Sequence, residues 1–167
     1  QNTGKLTVNG SFVSDTLRVE GGSLALNGEG NSFNHVELAG AEEGGVLDIN
    51  RNTVMGDLTD SGEGAALNIG SGASLSVNGA SSLSSSTIQG SGTLTLRDTL
   101  EISGTASLQG GVLLDLAKDD DSTGTLDLGS TSGSTVSGIG GEGTLKSAGG
   151  VLTVNTGNSG GGSVFSG

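Results

Sequence analysis

The sequence contains no cysteine, no proline, no tryptophan and no tyrosine, and only three phenylalanines. Without cysteine there is no disulfide framework and no thiolate chemistry. Such a chain is compatible with any compartment, and it suits passage through a pore, unfolded, into an oxidising space. Without the large rings there is no material for the thick core of an ordinary globular domain. The aromatic platforms on which a sugar-cleaving enzyme seats its substrate are missing too. Basic residues are also scarce. Lys5, Arg18, Arg51, Arg97, Lys118 and Lys146 stand apart from one another against 18 acidic residues, for a formal net charge of −12. Phosphate backbones are bound by basic patches, so nucleic acid is not an expected partner, and neither is an anionic membrane. No run approaches the ~20 apolar residues of a membrane span. No signal peptide is visible and the first residue is Gln1, so the chain reads as a fragment or a mature, processed product.

What is abundant is glycine, 34 of 167 residues, far above the usual share of about 7%. Glycine- and serine-rich chains often stay disordered because they bury too little apolar surface. In this chain, however, the apolar residues keep a pattern: apolar, polar or small, apolar. It appears as Leu6-Thr7-Val8, Leu17-Arg18-Val19, Leu24-Ala25-Leu26, Val36-Glu37-Leu38 and Leu47-Asp48-Ile49. It continues through Leu67, Leu75, Leu94, Leu100, Leu114 and Leu126 to Leu152-Thr153-Val154. The outer two side chains of such a triplet share one face of a strand and the middle one points to the other. These are short, half-buried strands, separated by glycine, serine, asparagine and aspartate, commonly at six to twelve residues from one start to the next.

The triplets also repeat in detail. Leu6-Thr-Val-Asn-Gly10, Leu24-Ala-Leu-Asn-Gly28 and Leu75-Ser-Val-Asn-Gly79 are near-copies, and Leu152-Thr-Val-Asn-Thr-Gly157 is a fourth with one insertion. Asparagine after the second apolar residue suits a sharp bend, because it tolerates the left-handed conformation, and stacked asparagines can hydrogen-bond along an axis. Self-similarity of this kind points to a solenoid. The expectation is an all-β, right-handed parallel β-helix over residues 1–167, one segment of a longer rod, with a β-sandwich as the alternative. Coils of roughly 20–25 residues would give seven or eight turns, about 35–40 Å long at the ~4.8 Å spacing of neighbouring strands. No long amphipathic helix is expected. Ser81–Ser86 reads as a polar break, and the Gly-rich run 159–163 reads as a loose turn.

The C-terminal stretch Gly143-Thr-Leu-Lys-Ser-Ala-Gly-Gly-Val-Leu-Thr-Val-Asn-Thr-Gly157, followed by Ser163-Val-Phe-Ser-Gly167, resembles the β-strand repeat of bacterial autotransporter passenger domains. One residue is missing between Leu145 and Lys146, and Val151 replaces the usual small residue before Leu152. Gly90-Ser-Gly-Thr-Leu-Thr-Leu96 has the same character. The close match covers about 25 residues of the chain, a length of roughly one solenoid coil. The resemblance implies a β-helical stalk exported across the outer membrane by the type V route, with a membrane barrel elsewhere in the parent chain; two-partner exported adhesins share a similar β-helix. It implies adhesion, autoaggregation or display at the bacterial cell surface. Expected partners are a host or bacterial surface protein, a glycan, or the chain itself. The repeat is a structural motif, so it carries over no functional residue.

The residues give an enzyme little to work with, and the chain is read as a non-enzyme with no cofactor. His35, the sole histidine, cannot close a zinc site alone and is expected at a solvent-facing turn. Gly70-Ser71-Gly72 is only a degraded nucleophile elbow. Asp119, Asp120 and Asp121, with Asp115 nearby, are weak candidates for calcium, which takes six to eight oxygen ligands. The same carboxylates are the only candidates for cleaving an acidic polysaccharide. A solvated loop bulging from a coil is the plainer reading, and Glu42-Glu43 similarly reads as a solvated turn. Gly140-Gly141-Glu142-Gly143 departs from the calcium-binding G-G-x-G-x-D repeat, and no glycine stretch ends in the Gly-Lys-Ser/Thr of a phosphate loop. The leading function is therefore structural and adhesive, with a carbohydrate-binding or polysaccharide-degrading β-helix as the alternative. An ice-binding face would need a regular Thr-x-Thr array, which only Thr93-x-Thr95 and Thr123-x-Thr125 approach.

Overall fold

A computed structural model describes residues 4–40 and 44–155. Its strands are, in chain order, β1 (Lys5–Val8), β2 (Val13–Glu20), β3 (Ser23–Leu26), β4 (Asn31–Ala39), β5 (Val46–Ile49), β6 (Thr53–Ser61), β7 (Ala66–Ile69), β8 (Ser74–Val77), β9 (Ser81–Leu83) and β10 (Thr87–Gly90). They continue with β11 (Thr93–Leu96), β12 (Thr99–Ile102), β13 (Ser107–Gly110), β14 (Leu113–Leu116), β15 (Thr125–Asp127), β16 (Ser132–Val136), β17 (Gly138–Gly141), β18 (Thr144–Lys146) and β19 (Val151–Val154).

Every strand pairs in parallel with a strand one coil before it, one coil after it, or both. One sheet runs β1-β3-β5-β7-β10-β13, and beyond it β16 pairs with β19. Leu24 stacks on Leu6, Leu47 on Leu24, Leu67 on Leu47, Ile88 on Leu67 and Leu108 on Ile88. The second sheet begins with the long strands β2, β4 and β6. It then divides into a column β8-β11-β14-β17 and a column β9-β12-β15-β18. The result is a parallel β-helix of about seven turns. A β-sandwich pairs its strands antiparallel; among the described residues the only antiparallel contact outside the strands is the bridge Lys118–Thr123. The alternative fold is thereby ruled out.

The core is a stack of short aliphatic side chains, as the composition requires. Leu26, Leu47, Ile49, Leu67, Ile69, Leu75, Leu94, Leu100, Leu114 and Leu126 are fully buried and belong to one contiguous cluster. Phe33 is buried, its ring edge-on to Phe12 at 5.3 Å between centroids. Coils differ in length: neighbouring coils are offset by 18 residues at Asn9–Asn27 and by 26 at Leu108–Ser134. The corners absorb that variation, and glycine sits where coils touch there. A Cβ on Gly28 would lie 2.0 Å from the carbonyl oxygen of Gly10 in the coil below. Gly90 has φ +125° and would place a Cβ 2.1 Å from the carbonyl oxygen of Ile69.

Two local expectations change. Ser81–Ser86 is not simply a break: Ser81–Leu83 is a strand with Ser81 and Leu83 buried. The asparagines do not serve as left-handed bends either, since among the described residues every positive φ belongs to glycine. The residues 41–43, containing Glu42-Glu43, and the C-terminal run 156–167 lie outside the described residues.

Candidate functional site

In a parallel stack the middle residue of each triplet repeats at one place on the outside of every coil, so outward polar side chains line up in ladders. At the corner after the first sheet, the Asn27 side-chain amide donates to Asn9 at 3.1 Å and that of Asn50 donates to Asn27 at 2.8 Å. On the flat of that sheet, Asn68 donates to the Asp48 carboxylate at 2.7 Å and Gln89 donates to Asn68 at 2.8 Å. Such chains of side-chain amides satisfy one another along the rod and order its surface. Asn78 belongs to a different corner, where its N–H donates to the Met55 carbonyl at 2.9 Å. The near-copies in sequence thus occupy more than one column.

The long strands β2, β4 and β6 carry the charged part of the surface. His35 lies inside β4 rather than at a turn, and its Nδ1 is 2.6 Å from Oδ1 of Asp57 in the next coil. Its neighbour Asn34 donates to Asp15 at 2.7 Å. Arg18 reaches Glu20 and Glu37, each at 3.5 Å, and Ser61 donates to Glu37. The His35 and Asp57 side chains are 40% and 39% exposed, and pairs so open to water contribute little to stability.

The most elaborate polar cluster surrounds Asp60. Its carboxylate accepts the backbone N–H groups of Ser84 at 2.9 Å, Ser85 at 2.8 Å and Ser86 at 2.8 Å, and the hydroxyl of Ser84 at 3.0 Å. Three successive N–H groups converging on an anion form a nest. Partial burial works to raise the pKa of Asp60. The bonds from Ser85 and Ser84 outweigh it and hold the carboxyl below its usual range. The serine run thus caps the coil below it. Locating that cap from sequence would have required the coil register, which the uneven coil lengths conceal.

Asp119, Asp120 and Asp121 sit where a solvated loop was expected, in a bulge between β14 and β15. They do not converge on a cation. Asp119 turns back on its own loop, accepting the Ser122 hydroxyl at 2.6 Å and the Ser122 N–H at 2.9 Å, and it pairs with Arg97 at 2.9 Å. The Ser122 hydroxyl is the main cause holding its carboxyl below the ordinary range, with Arg97 adding to it. Asp115 lies on β14, 3.4 Å from the Thr95 hydroxyl. Among the described residues no group of three or more acidic or histidine side chains is placed to hold a metal ion.

What the arrangement offers chemically is an extended, hydrogen-bonded, mostly acidic surface wrapped around a narrow aliphatic core. Compared with models of protein families, with curated proteins and with solved structures, the chain matches none of them.

Proposed function

We propose that this chain is a structural and adhesive segment of a bacterial surface protein: a rigid β-helical stalk, exported across the outer membrane, whose outward polar ladders make many weak contacts with a neighbouring surface or with other copies. The observation that carries this reading is the pair of ladders Asn9-Asn27-Asn50 and Asp48-Asn68-Gln89, which line the corner after the first sheet and the flat of that sheet with amide and carboxylate groups. An array of this kind binds by summing weak bonds over its length. The resemblance of the sequence at 143–167 to the repeat of autotransporter passenger domains supports this reading. A polysaccharide-cleaving role has less support: Phe33 is buried, and the Asp119 carboxylate is already engaged by Ser122 and Arg97.

The test is display of the 167-residue chain on a non-adherent bacterial cell, with cell clumping and attachment to host-cell and glycan surfaces as readouts. The proposal expects clumping or attachment above that of cells carrying the empty display scaffold. It also expects a reduction when Asn27, Asp48 and Asn68 are replaced together by lysine. Cells that neither clump nor attach would overturn the adhesive reading.

A further inference from the structure

Two requirements of the coil meet at Asn27-Gly28. The amide ladder takes asparagine at 27, whose side chain donates to Asn9 at 3.1 Å and accepts from Asn50 at 2.8 Å. The tight corner takes glycine at 28, where a Cβ would lie 2.0 Å from the Gly10 carbonyl oxygen. Neither requirement concerns the other, yet together they produce Asn-Gly. Asparagine is among the thermally labile residues. It is most labile before glycine, because no side chain on the following residue hinders that residue's nitrogen as it attacks the asparagine's Cγ. The same dipeptide occurs at Asn9-Gly10 and Asn78-Gly79, and the dipeptide alone does not rank the three.

The hydrogen bonds separate them. The attacking atom is the glycine nitrogen, which must shed its proton. The atom attacked is the side-chain carbonyl carbon, whose oxygen gains negative charge as the new bond forms. At Asn78-Gly79 the Gly79 N–H donates to the Gly56 carbonyl at 2.5 Å, which withholds the nucleophile, and among the described residues no donor reaches the Asn78 side chain. At Asn27-Gly28 both conditions are reversed. The Gly28 N–H donates no hydrogen bond among the described residues. The Asn50 amide donates to Oδ1 of Asn27 at 2.8 Å, at the oxygen where the charge develops. A donor so placed stabilises the transition state more than the ground state. Asn27 is exposed, so ammonia has a way out and water a way in. Asn68 has an equivalent donor in Gln89 at 2.8 Å, but the next nitrogen belongs to Ile69 within β7, where a branched side chain and the strand hold it back. Asn9-Gly10 shares the pattern more loosely, with Asn27 donating at 3.1 Å.

We propose that Asn27-Gly28 is a self-modification site, at which the folded chain deamidates with the Asn50 amide stabilising the developing oxyanion. The Gly28 nitrogen gives its proton to water or hydroxide and forms a bond to Cγ of Asn27. The tetrahedral intermediate takes up a proton on its amino group and expels ammonia, leaving a cyclic succinimide. Water then opens either carbonyl, giving aspartate or isoaspartate at position 27. Water is consumed and ammonia released in equal amounts, with no oxidant and no co-reactant. The product carboxylate still accepts from Asn50 but no longer donates to Asn9. The ladder is cut between those two coils and a negative charge enters it. The reaction is independent of the adhesive reading above; its consequence, a chemical regulation of the ladder, rests on that reading.

The experiment is peptide mapping by mass spectrometry, with enzymatic methylation to mark isoaspartate, on the 167-residue chain incubated at neutral and at mildly alkaline pH. A parallel sample is held unfolded in urea. There Leu26-Asn27-Gly28 and Val77-Asn78-Gly79 are alike and should convert at similar rates. In the folded chain position 27 should convert about tenfold faster than position 78, roughly the worth of one withheld hydrogen bond, and faster still at the higher pH. Asn50→Leu keeps the shape of the side chain without the donor, and Asn50→Ala removes both. Each should slow position 27 roughly fivefold, well short of the loss of a water-excluded oxyanion donor in an enzyme, and leave position 78 unchanged, with circular dichroism confirming the fold. Position 78 converting as fast as position 27 in the folded chain overturns the proposal. So does a folded chain that stays intact at 27 while the urea sample converts, or a rate at 27 that both folded Asn50 variants leave unaltered. None of these results touches the adhesive reading, which is read out separately by clumping and attachment.

Discussion

At the scale of single residues, the chain concentrates its polar investment in one carboxylate. Asp60 receives three successive N–H groups from Ser84, Ser85 and Ser86, and charge-assisted bonds of this kind are about twice as strong as neutral ones. Asp60→Asn replaces an acceptor with a group that is partly a donor, and should cost about 1–3 kcal/mol in urea unfolding at pH 7. The pKa of Asp60 is lowered in the fold. Its contribution is thus fully present above the ordinary aspartate pKa and is lost as pH falls through the lower, folded value. Wild type and Asp60→Asn should converge in stability as pH is taken well below 3.8; a gap that stays constant would show that the carboxylate charge is not what matters. Glycine works at the same scale. Gly90→Ala combines a positive φ with a Cβ 2.1 Å from the Ile69 carbonyl oxygen, and should destabilise by at least about 2 kcal/mol. An unchanged denaturation midpoint would contradict the tight corner drawn for that coil.

At the scale of elements, the strand is stable only through its neighbours above and below. Leu67 is fully buried in the middle of the first sheet, so Leu67→Ala should cost roughly 2–5 kcal/mol. Leu6 has the same place in its triplet but is 60% exposed at the rod's end, and Leu6→Ala should cost less than about 1 kcal/mol. Thermal or chemical unfolding of the two variants gives the comparison, and equal penalties would mean the coils do not stack in the stated order. The triplets at Leu6, Leu24, Leu47, Leu75 and Leu100 were legible because both of their inward positions carry a large aliphatic side chain. The strands that were hidden are those in which glycine, serine or another small residue takes one inward place. Ile88 is followed at that position by Gly90, Leu108 by Gly110, and Val136 is preceded by Ser134. β6 was hidden for another reason: it is long and bent, and its buried Met55 and Leu58 are three residues apart rather than two. His35 was misplaced for the same reason, because the bend that mimics a turn lies within the long strand β4. The acidic bulge at Asp119–Asp121 was legible as a loop because nothing in it alternates. The Asn68–Asp48 contact was not legible, because it depends on a coil length of 20 residues that differs from those on either side.

At the scale of the whole molecule, the uneven coils nonetheless keep common columns, and the outward ladders and the adhesive reading both depend on that. The absence of cysteine makes those columns directly measurable, since introduced cysteines would be the only sites for a spin label. Thr7, Asn68, Gln89 and Gln109 stand in the outward column of the first sheet, each coil in register with the next. Asn68 is three coils from Thr7, Gln89 four and Gln109 five. Pulsed electron paramagnetic resonance on the pairs 7/68, 7/89 and 7/109 should give backbone separations of about 14, 19 and 24 Å, rising by the ~4.8 Å spacing of stacked strands. Distances that rise in those equal steps would establish the parallel stack on which the account rests; distances that fall, repeat or scatter along the series would contradict it.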